Sequence, residues 1–516
     1  MKEPTRTPAR AVAEATELYG QRKYAEAEAC CQEVLERNPD HAQALFIAGL
    51  AAMHTGRPAL AVASLERVCE LVPDSSHYHY NLAVTLNDVG RPAEALAHYQ
   101  TCLRLQPTHW DAMWNGGELL RMREHFKTAA EYFEQLIPQA FRYRGLYHRL
   151  AVCYAFLGRT AESEQMFKQE LALGPYDESL TLWEYSHLLL AVQDFARGWV
   201  AYDRRFDSPK TSVTAHPFPI PRWAGSSLAG KTLLVHSEQG LGDELMFASI
   251  IPDLRKRAAE EGGRVALACS PALVRIFGQA WPDLIVLPHI QGVQPAVLEP
   301  LGRVDFQIPF GSLARYFRNS KEAFGTPQPY LVSDPQIVAR YRQRLAELAP
   351  GAQPKLRVGL VWGTNPALHH QKAAARASQK SIPVRLLAPL GSVAGVQFVS
   401  LQNREVGATV ADLPELNPID LSSELLDFSE TAGLVDALDL VITVDTSVAH
   451  LSGAMGQKTW VPLMKHCDWR WGRKEATSYW YPRVRLFRQT QQGDWPAVIE
   501  QLRVALERAV ADPSTI

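Results

Sequence analysis

Pro39, Pro73, Pro107 and Pro175 fall in one 34-residue frame, with Phe141 in the place of the missing member. Gly56, Gly90 and Gly158 recur in the same frame, as do Ala27, Ala61, Ala95 and Ala129. Leu65, Tyr99, Phe133 and Phe167 follow four residues after that small-residue position. Chance in an alanine-rich helical chain does not put so many positions in phase. A unit of this length holds two short antiparallel helices, with glycine at the turn and a small residue where the helices cross. Proline closes the unit, because it cannot continue the second helix. One such pair cannot bury its apolar face alone, so units must stack. Five of them run from about Pro8 to Asp177. The front of the chain is therefore expected to be an α-solenoid with a concave groove.

The pattern is similar to the tetratricopeptide (TPR) repeat, whose groove usually holds an extended peptide. Residues 178–206 look like a further, degenerate helical pair, so the solenoid is expected to cover 1–207. A proline-rich linker (208–227) follows, holding Pro209, Pro217, Pro219 and Pro221. From there strand and helix patterns alternate. KTLLVHSE (231–238), VALACS, LIVLPH, RVGLVW (357–362), QFVSLQ, LVITVD and WVPLM read as buried strands, and 335–349 and Trp495–Val510 read as helices. Two successive alternating halves, 228–350 and 351–490 with a closing helix in 491–516, imply two doubly wound α/β domains facing one another across a cleft.

Composition narrows the function. A chain of 516 residues is too long for one core, and its net charge of −2 gives no reason to expect nucleic acid or an anionic membrane as partner. The seven cysteines (30, 31, 69, 102, 153, 269, 467) are scattered and form no CxxC pair, which argues for a reducing compartment and against a disulfide framework or structural zinc. MKEPTRTPAR lacks the apolar core of a signal peptide, and no apolar run reaches membrane-spanning length, so a cytoplasmic protein is expected.

Leu438 to Gly456, LDLVITVDTSVAHLSGAMG, carries the strongest functional signal. A Val/Ile-rich strand turns at Asp445-Thr446-Ser447 directly into a helix of small residues. The free N–H groups of that helix then point into the crevice at the strand's end and form an anion site suited to a diphosphate. Asp445 caps the helix or holds a ribose hydroxyl on this reading, since an acid beside a diphosphate would repel it. His450, one turn further in, is a donor-site residue or a satisfied core histidine.

In the first half, Gly240 and Gly242 flank a sharp strand-to-helix turn on the acceptor side, and Asp243 stands at the helix start. There the dipole keeps a carboxylate ionised and able to accept a proton, although an N-cap fits equally well. Glu238, on the same loop, is the reserve. Gly363, Thr364 and Asn365 end a strand where nucleotides are commonly contacted. Lys380 and Arg470 are candidate phosphate ligands. Trp469 and Trp471 suit sugar stacking or interdomain packing. His369-His370 has no third ligand at a useful spacing, and no metal is expected.

The separated blocks VHSEQGLGDELMF, LVWGTNP, KSIP, VDTSVAHLSGAMG and DWRW followed by YWYPRVRLFRQ resemble glycosyltransferase family 9, the heptosyltransferases, over about Lys231 to Ala511. The family's nucleotide-sugar segment has the form DTGLSHLAAALG. Asp445, Thr446, His450, Leu451 and Gly456 match it, and Ser447 replaces a glycine. The whole chain resembles bacterial TPR-glycosyltransferases, with the solenoid-plus-GT-B plan of O-GlcNAc transferases. The resemblance implies a GT-B fold and inverting transfer from a nucleotide-diphosphate sugar to a hydroxyl, with Asp243 as base. The sugar nucleotide is a substrate, and neither a cofactor nor a metal is implied. The acceptor is a protein or peptide held by the solenoid. Asn81 and Asn115, sixth in the inner helices of the third and fourth units, would grip its backbone as part of an asparagine ladder, with Ala13, Ile47 and Arg149 on the other rungs. The alternatives are a heptosyltransferase acting on a glycolipid, a nucleotide-sugar epimerase, and a TPR scaffold whose enzyme half is inactive.

Overall fold

The computed structural model describes residues 7–175, 177–211, 213, 219–289, 301–349, 354–364, 379–402 and 409–516. The chain divides into two compact units, Met1–Tyr176 and Asp177–Ile516. The first consists of five helix pairs: α1 (Pro8–Gly20) and α2 (Tyr24–Leu35), α3 (Ala42–His54) and α4 (Pro58–Leu71), α5 (Ser76–Asp88) and α6 (Pro92–Leu105), α7 (Trp110–Met122) and α8 (Phe126–Gln135), α9 (Leu146–Phe156) and α10 (Thr160–Ala172). The turn inside every pair needs one left-handed residue. Gly56, Gly90 and Gly158 supply it at φ 76°, 80° and 75°, while Arg22 and Glu124 hold the equivalent places at φ 62°. The recurring alanines, at 0% exposure, let paired helices cross closely. In the fourth unit a 3₁₀ turn, Ile137–Arg142, leaves Phe141 80% exposed in the place where the other units carry proline.

The second unit opens with α11 (Glu178–Ala191) and α12 (Phe195–Tyr202). The boundary expected at 207 therefore moves to 176/177. The reason is packing: Leu190, Phe195, Trp199 and Tyr202 belong to the same core as Leu233, Val235 and Phe247 of the first sheet. Trp199 also donates its indole N–H to the Arg318 carbonyl at 2.6 Å.

Two parallel sheets follow. β1 (Thr232–His236), β2 (Arg264–Cys269), β3 (Ile285–Pro288) and β4 (Phe306–Pro309) lie in the order β3-β2-β1-β4. β5 (Leu356–Val361), β6 (Val396–Ser400), β7 (Ile419–Asp420), β8 (Leu440–Thr443), β9 (Thr459–Leu463) and β10 (Val484–Arg488) lie in the order β10-β9-β8-β5-β6-β7. All pairings are parallel, in keeping with the buried apolar runs. The helices are α13 (Leu241–Phe247), α14 (Ile251–Glu261), α15 (Val274–Ala280), α16 (Ala314–Phe317), α17 (Pro335–Leu348), α18 (Phe428–Asp436), α19 (Ser447–Ala454) and α20 (Trp495–Ala511).

Three expectations are corrected. β4 lies where no strand was expected, and β10 lies in a block read only as a motif. α17, assigned to the first half, packs Ile337, Tyr341 and Leu345 against Val361 and Leu434 of the second. The closing helix α20 is an integral layer of the second sheet, with Val498, Leu502 and Leu506 against Val358 and Phe487. The halves also share one core, in which Ala449, Leu451 and Tyr481 join Leu245 and Phe247, so α13 and α19 meet directly.

Candidate functional site

β8 delivers the chain to Asp445, which is the hub of the second half. Lys380 Nζ lies 2.6 Å from its Oδ2, and the Trp471 indole N–H donates to its Oδ1 at 2.9 Å. Burial pushes this carboxyl upward, but the Lys380 ammonium more than offsets that, and it sits below the usual aspartate value. Asp445 therefore does not cap α19, because its oxygens are taken by Lys380 and Trp471. Lys380, expected on phosphate, is the partner of Asp445. Thr446 occupies the N-cap position with extended backbone (φ −135°, ψ 172°), yet its side chain makes no cap bond. Its hydroxyl meets Thr443 Oγ1 at 3.0 Å instead. The first turn of α19, at Ser447, is thus left without a side-chain cap.

His450 is 5% exposed, stacked on Trp471 (5.1 Å between ring centroids, 20°), and its Nδ1 lies 2.7 Å from Tyr481 Oη. Burial pulls the imidazole down to about 4, so it is neutral near pH 7. Gly242 explains itself here. A Cβ on it would stand 2.8 Å from His450 Cδ2, so this glycine permits the crossing of α13 over α19. Gly240 meets no such constraint, since its nearest neighbour is Asp243 Oδ2 at 3.5 Å.

Asp243 closes the first turn of α13 by accepting the Gly240 N–H at 3.2 Å, and its other oxygen pairs with Arg470. Arg470 also bonds Asp468 at 2.7 Å and lies 4.5 Å over the Trp469 ring. Its Nε is buried and has no partner among the described residues. Asp243 keeps 23% side-chain exposure, whereas Glu238 keeps 2%. Glu238 accepts from Arg205 at 2.8 Å and from the Gly311 N–H at 3.0 Å. These bonds tie the loop to the turn that follows β4 and leave Glu238 far less accessible than Asp243.

Gly363 and Thr364 do lie at the end of β5, but their amides are already used. Gln402 Oε1 accepts from the Trp362 and Gly363 N–H groups at 3.1 and 2.9 Å, and Ser381 Oγ accepts from Thr364 at 3.0 Å. Asn365, His369 and His370 lie outside the described residues. In the solenoid, Asn81 donates to the His77 carbonyl of its own helix at 2.8 Å, and Asn115 donates to Tyr80 Oη at 3.3 Å. The Asn115 side chain also bonds Tyr99, so its amide is engaged within the repeats.

Sequence reasoning missed Gln402, Tyr481 and Glu244. Tyr481 lies inside a block singled out only for its resemblance. Glu244 lies likewise inside the VHSEQGLGDELMF block and Gln402 ends the QFVSLQ strand, but nothing local marks their roles, because their partners are distant in sequence. Glu244, on α13, is 1% exposed and accepts the Ser270 N–H at 2.9 Å.

The fold defines a two-part class, a helical repeat array joined to an α/β unit in which the first turns of α13 and α19 cross among paired charges. The repeats are tetratricopeptide repeats, since residues 12–76 and 80–145 match that family model. Over 395 residues the chain is 29% identical to Protein FlbA of Caulobacter vibrioides, covering 73% of this chain and 63% of that protein. It therefore spans less than two thirds of the length of that relative. Among solved structures it is similar to MamA, at 20% identity over 32% of this chain and 90% of that one, with a TM-score of 0.30. It is also similar to YrrB, described as a TPR protein with an unusual peptide-binding site, at 19% identity over 35% and 93% of the two chains, with a TM-score of 0.32. No helix among the described residues is long and apolar enough to cross a membrane.

Proposed function

We propose that the chain is an inverting glycosyltransferase of GT-B type, acting from a nucleotide-diphosphate sugar on a hydroxyl of a protein or peptide held by the repeats. The observation that carries this reading is the crossing of α13 and α19. It brings a reachable carboxylate, Asp243, beside an uncapped helix start at Thr446-Ser447 and an arginine, Arg470, whose buried Nε has no partner among the described residues. Asp243 takes the acceptor proton, the acceptor oxygen bonds to the anomeric carbon, and the bond from that carbon to the diphosphate breaks. The helix start and Arg470 then stabilise the charge on the departing diphosphate. The TPR array supports a peptide acceptor, and the Asn81 and Asn115 amides would contribute to its grip.

The test is calorimetric titration of the full chain with ADP-, UDP- and GDP-sugars. One of them should bind, and Ser447→Trp should abolish that binding while the circular dichroism spectrum is unchanged. Failure of every donor, or binding unaffected by Ser447→Trp, would overturn the reading. A non-catalytic scaffold is favoured by one observation, namely that the Asp445–Lys380 and Asp243–Arg470 pairs already satisfy the site's charges internally. Peptide binding without any donor binding would select it.

A further inference from the structure

Cys69, His79 and His98 stand together in the repeat unit, apart from the α/β site. Cys69 lies in the last turn of α4, His79 in the first turn of α5 and His98 in the middle of α6. A ligand atom of each lies within 4.8 Å of the other two. The Nδ1 atoms of His79 and His98 are 2.9 Å apart, with the rings nearly parallel at 21°.

The Pro73 carbonyl fixes the chemistry of the pair. It lies 2.9 Å from His79 Nε2. A carbonyl only accepts, so the proton of the neutral ring sits on Nε2, and Nδ1 presents a bare lone pair toward His98. A backbone carbonyl that locks the tautomer in this way is the usual support of a metal-binding imidazole. Cys69 and His79 are buried, and His98 is half-buried, which leaves an approach from solvent.

We propose that Cys69, His79 and His98 form a zinc site that ties the second repeat to the third. One thiolate and two imidazoles suit this borderline ion, and solvent on the His98 side supplies the fourth tetrahedral position. Zinc–nitrogen bonds of about 2.0–2.1 Å set the two nitrogens ~3.3 Å apart, so the imidazoles need part by only about 0.4 Å. As the sulfur–zinc bond forms, the thiol proton leaves to solvent. The proton shared by the two Nδ1 atoms moves to His98 Nε2, and one proton is released per ion bound. The spacing of 69, 79 and 98 matches no zinc motif because stacking of the repeats, rather than a local loop, assembles the ligands.

The test titrates the reduced full-length protein with ZnCl2 by calorimetry and with CoCl2 by absorption spectroscopy. About one equivalent should bind, and the cobalt form should show a thiolate-to-metal charge-transfer band. Cys69→Ser should abolish that band. His98→Gln, at a half-buried position that leaves the helix intact, should weaken zinc binding at least about 100-fold. The absence of stoichiometric zinc binding would overturn the proposal, as would zinc affinity and a cobalt band that are the same in both variants as in the parent chain.

Discussion

Replacing Glu244 with Gln should remove most of one pH dependence from the stability of the α/β unit. The Glu244 carboxyl is 1% exposed and is bonded by both the N–H and the hydroxyl of Ser270. Burial is the largest influence and pushes it from 4.5 up to about 8; the Ser270 bonds pull down, and Glu238 and Asp243 add to the rise. The folded value therefore lies above the unfolded one, and the fold holds this proton more tightly. Its stabilising contribution is fully present below about pH 4.5 and is lost as pH rises through about 8. At about 1.4 kcal/mol per tenfold change in proton affinity, the loss between about pH 5 and about pH 9 comes to about 4 kcal/mol. Gln has the same shape and can keep both contacts, its carbonyl accepting the Ser270 N–H and its amide donating to the hydroxyl. Urea unfolding followed by tryptophan fluorescence, repeated across this pH range, should show the variant gaining on the parent by about that amount. Infrared spectroscopy at neutral pH should show a protonated carboxyl that the variant lacks. Parallel stability curves for the two proteins would refute the reasoning.

Arg205→Met leaves Glu238 buried without its cation and should cost about 3–5 kcal/mol in urea unfolding, most of it recovered by adding Glu238→Gln. Gly242→Leu drives a side chain into His450, which Trp471 and Tyr481 hold in place. Unfolding should register a loss of about 1–3 kcal/mol, with altered tryptophan fluorescence. Asp243→Asn should abolish sugar transfer and, in calorimetry, tighten diphosphate binding about tenfold, because it removes one negative charge and frees Arg470.

The repeats were legible because every unit solves the same local problem. Gly56, Gly90 and Gly158 mark the left-handed turn, and the alanines mark the crossing. The frame even locates Arg22 and Glu124, where other residues adopt that turn conformation. The strand-to-helix turn at Asp445 was equally plain, since a Val/Ile run that stops at an acid and resumes in small residues permits few other structures. The placement of α11 and α12 was not readable. Their pattern is that of a repeat, and only the large side chains Phe195, Trp199 and Tyr202 record that they are buried against a sheet. The partners of the site charges were hidden for a similar reason. Lys380 and Asp445 are 65 residues apart in sequence, and nothing local to either announces the pair. Glu238 and Asp243 lie five residues apart on one loop, and only the structure shows how differently they are buried, at 2% and 23% side-chain exposure.

The charge balance at the crossing decides how a diphosphate could enter. Asp243, Asp445 and Asp468 face Lys380 and Arg470, and His450 is neutral. The cluster is thus one charge negative before any ligand arrives, and the helix start contributes only about half a positive charge. A diphosphate cannot simply be added to such a site. On the proposed reading, the attraction it needs would come from Arg470 turning from Asp243 toward the ligand, which would bring its buried Nε into play. That same turn would release Asp243 from its cation. On that reading, donor binding would free the base, and the Asp243–Arg470 pair would be the resting form of the site.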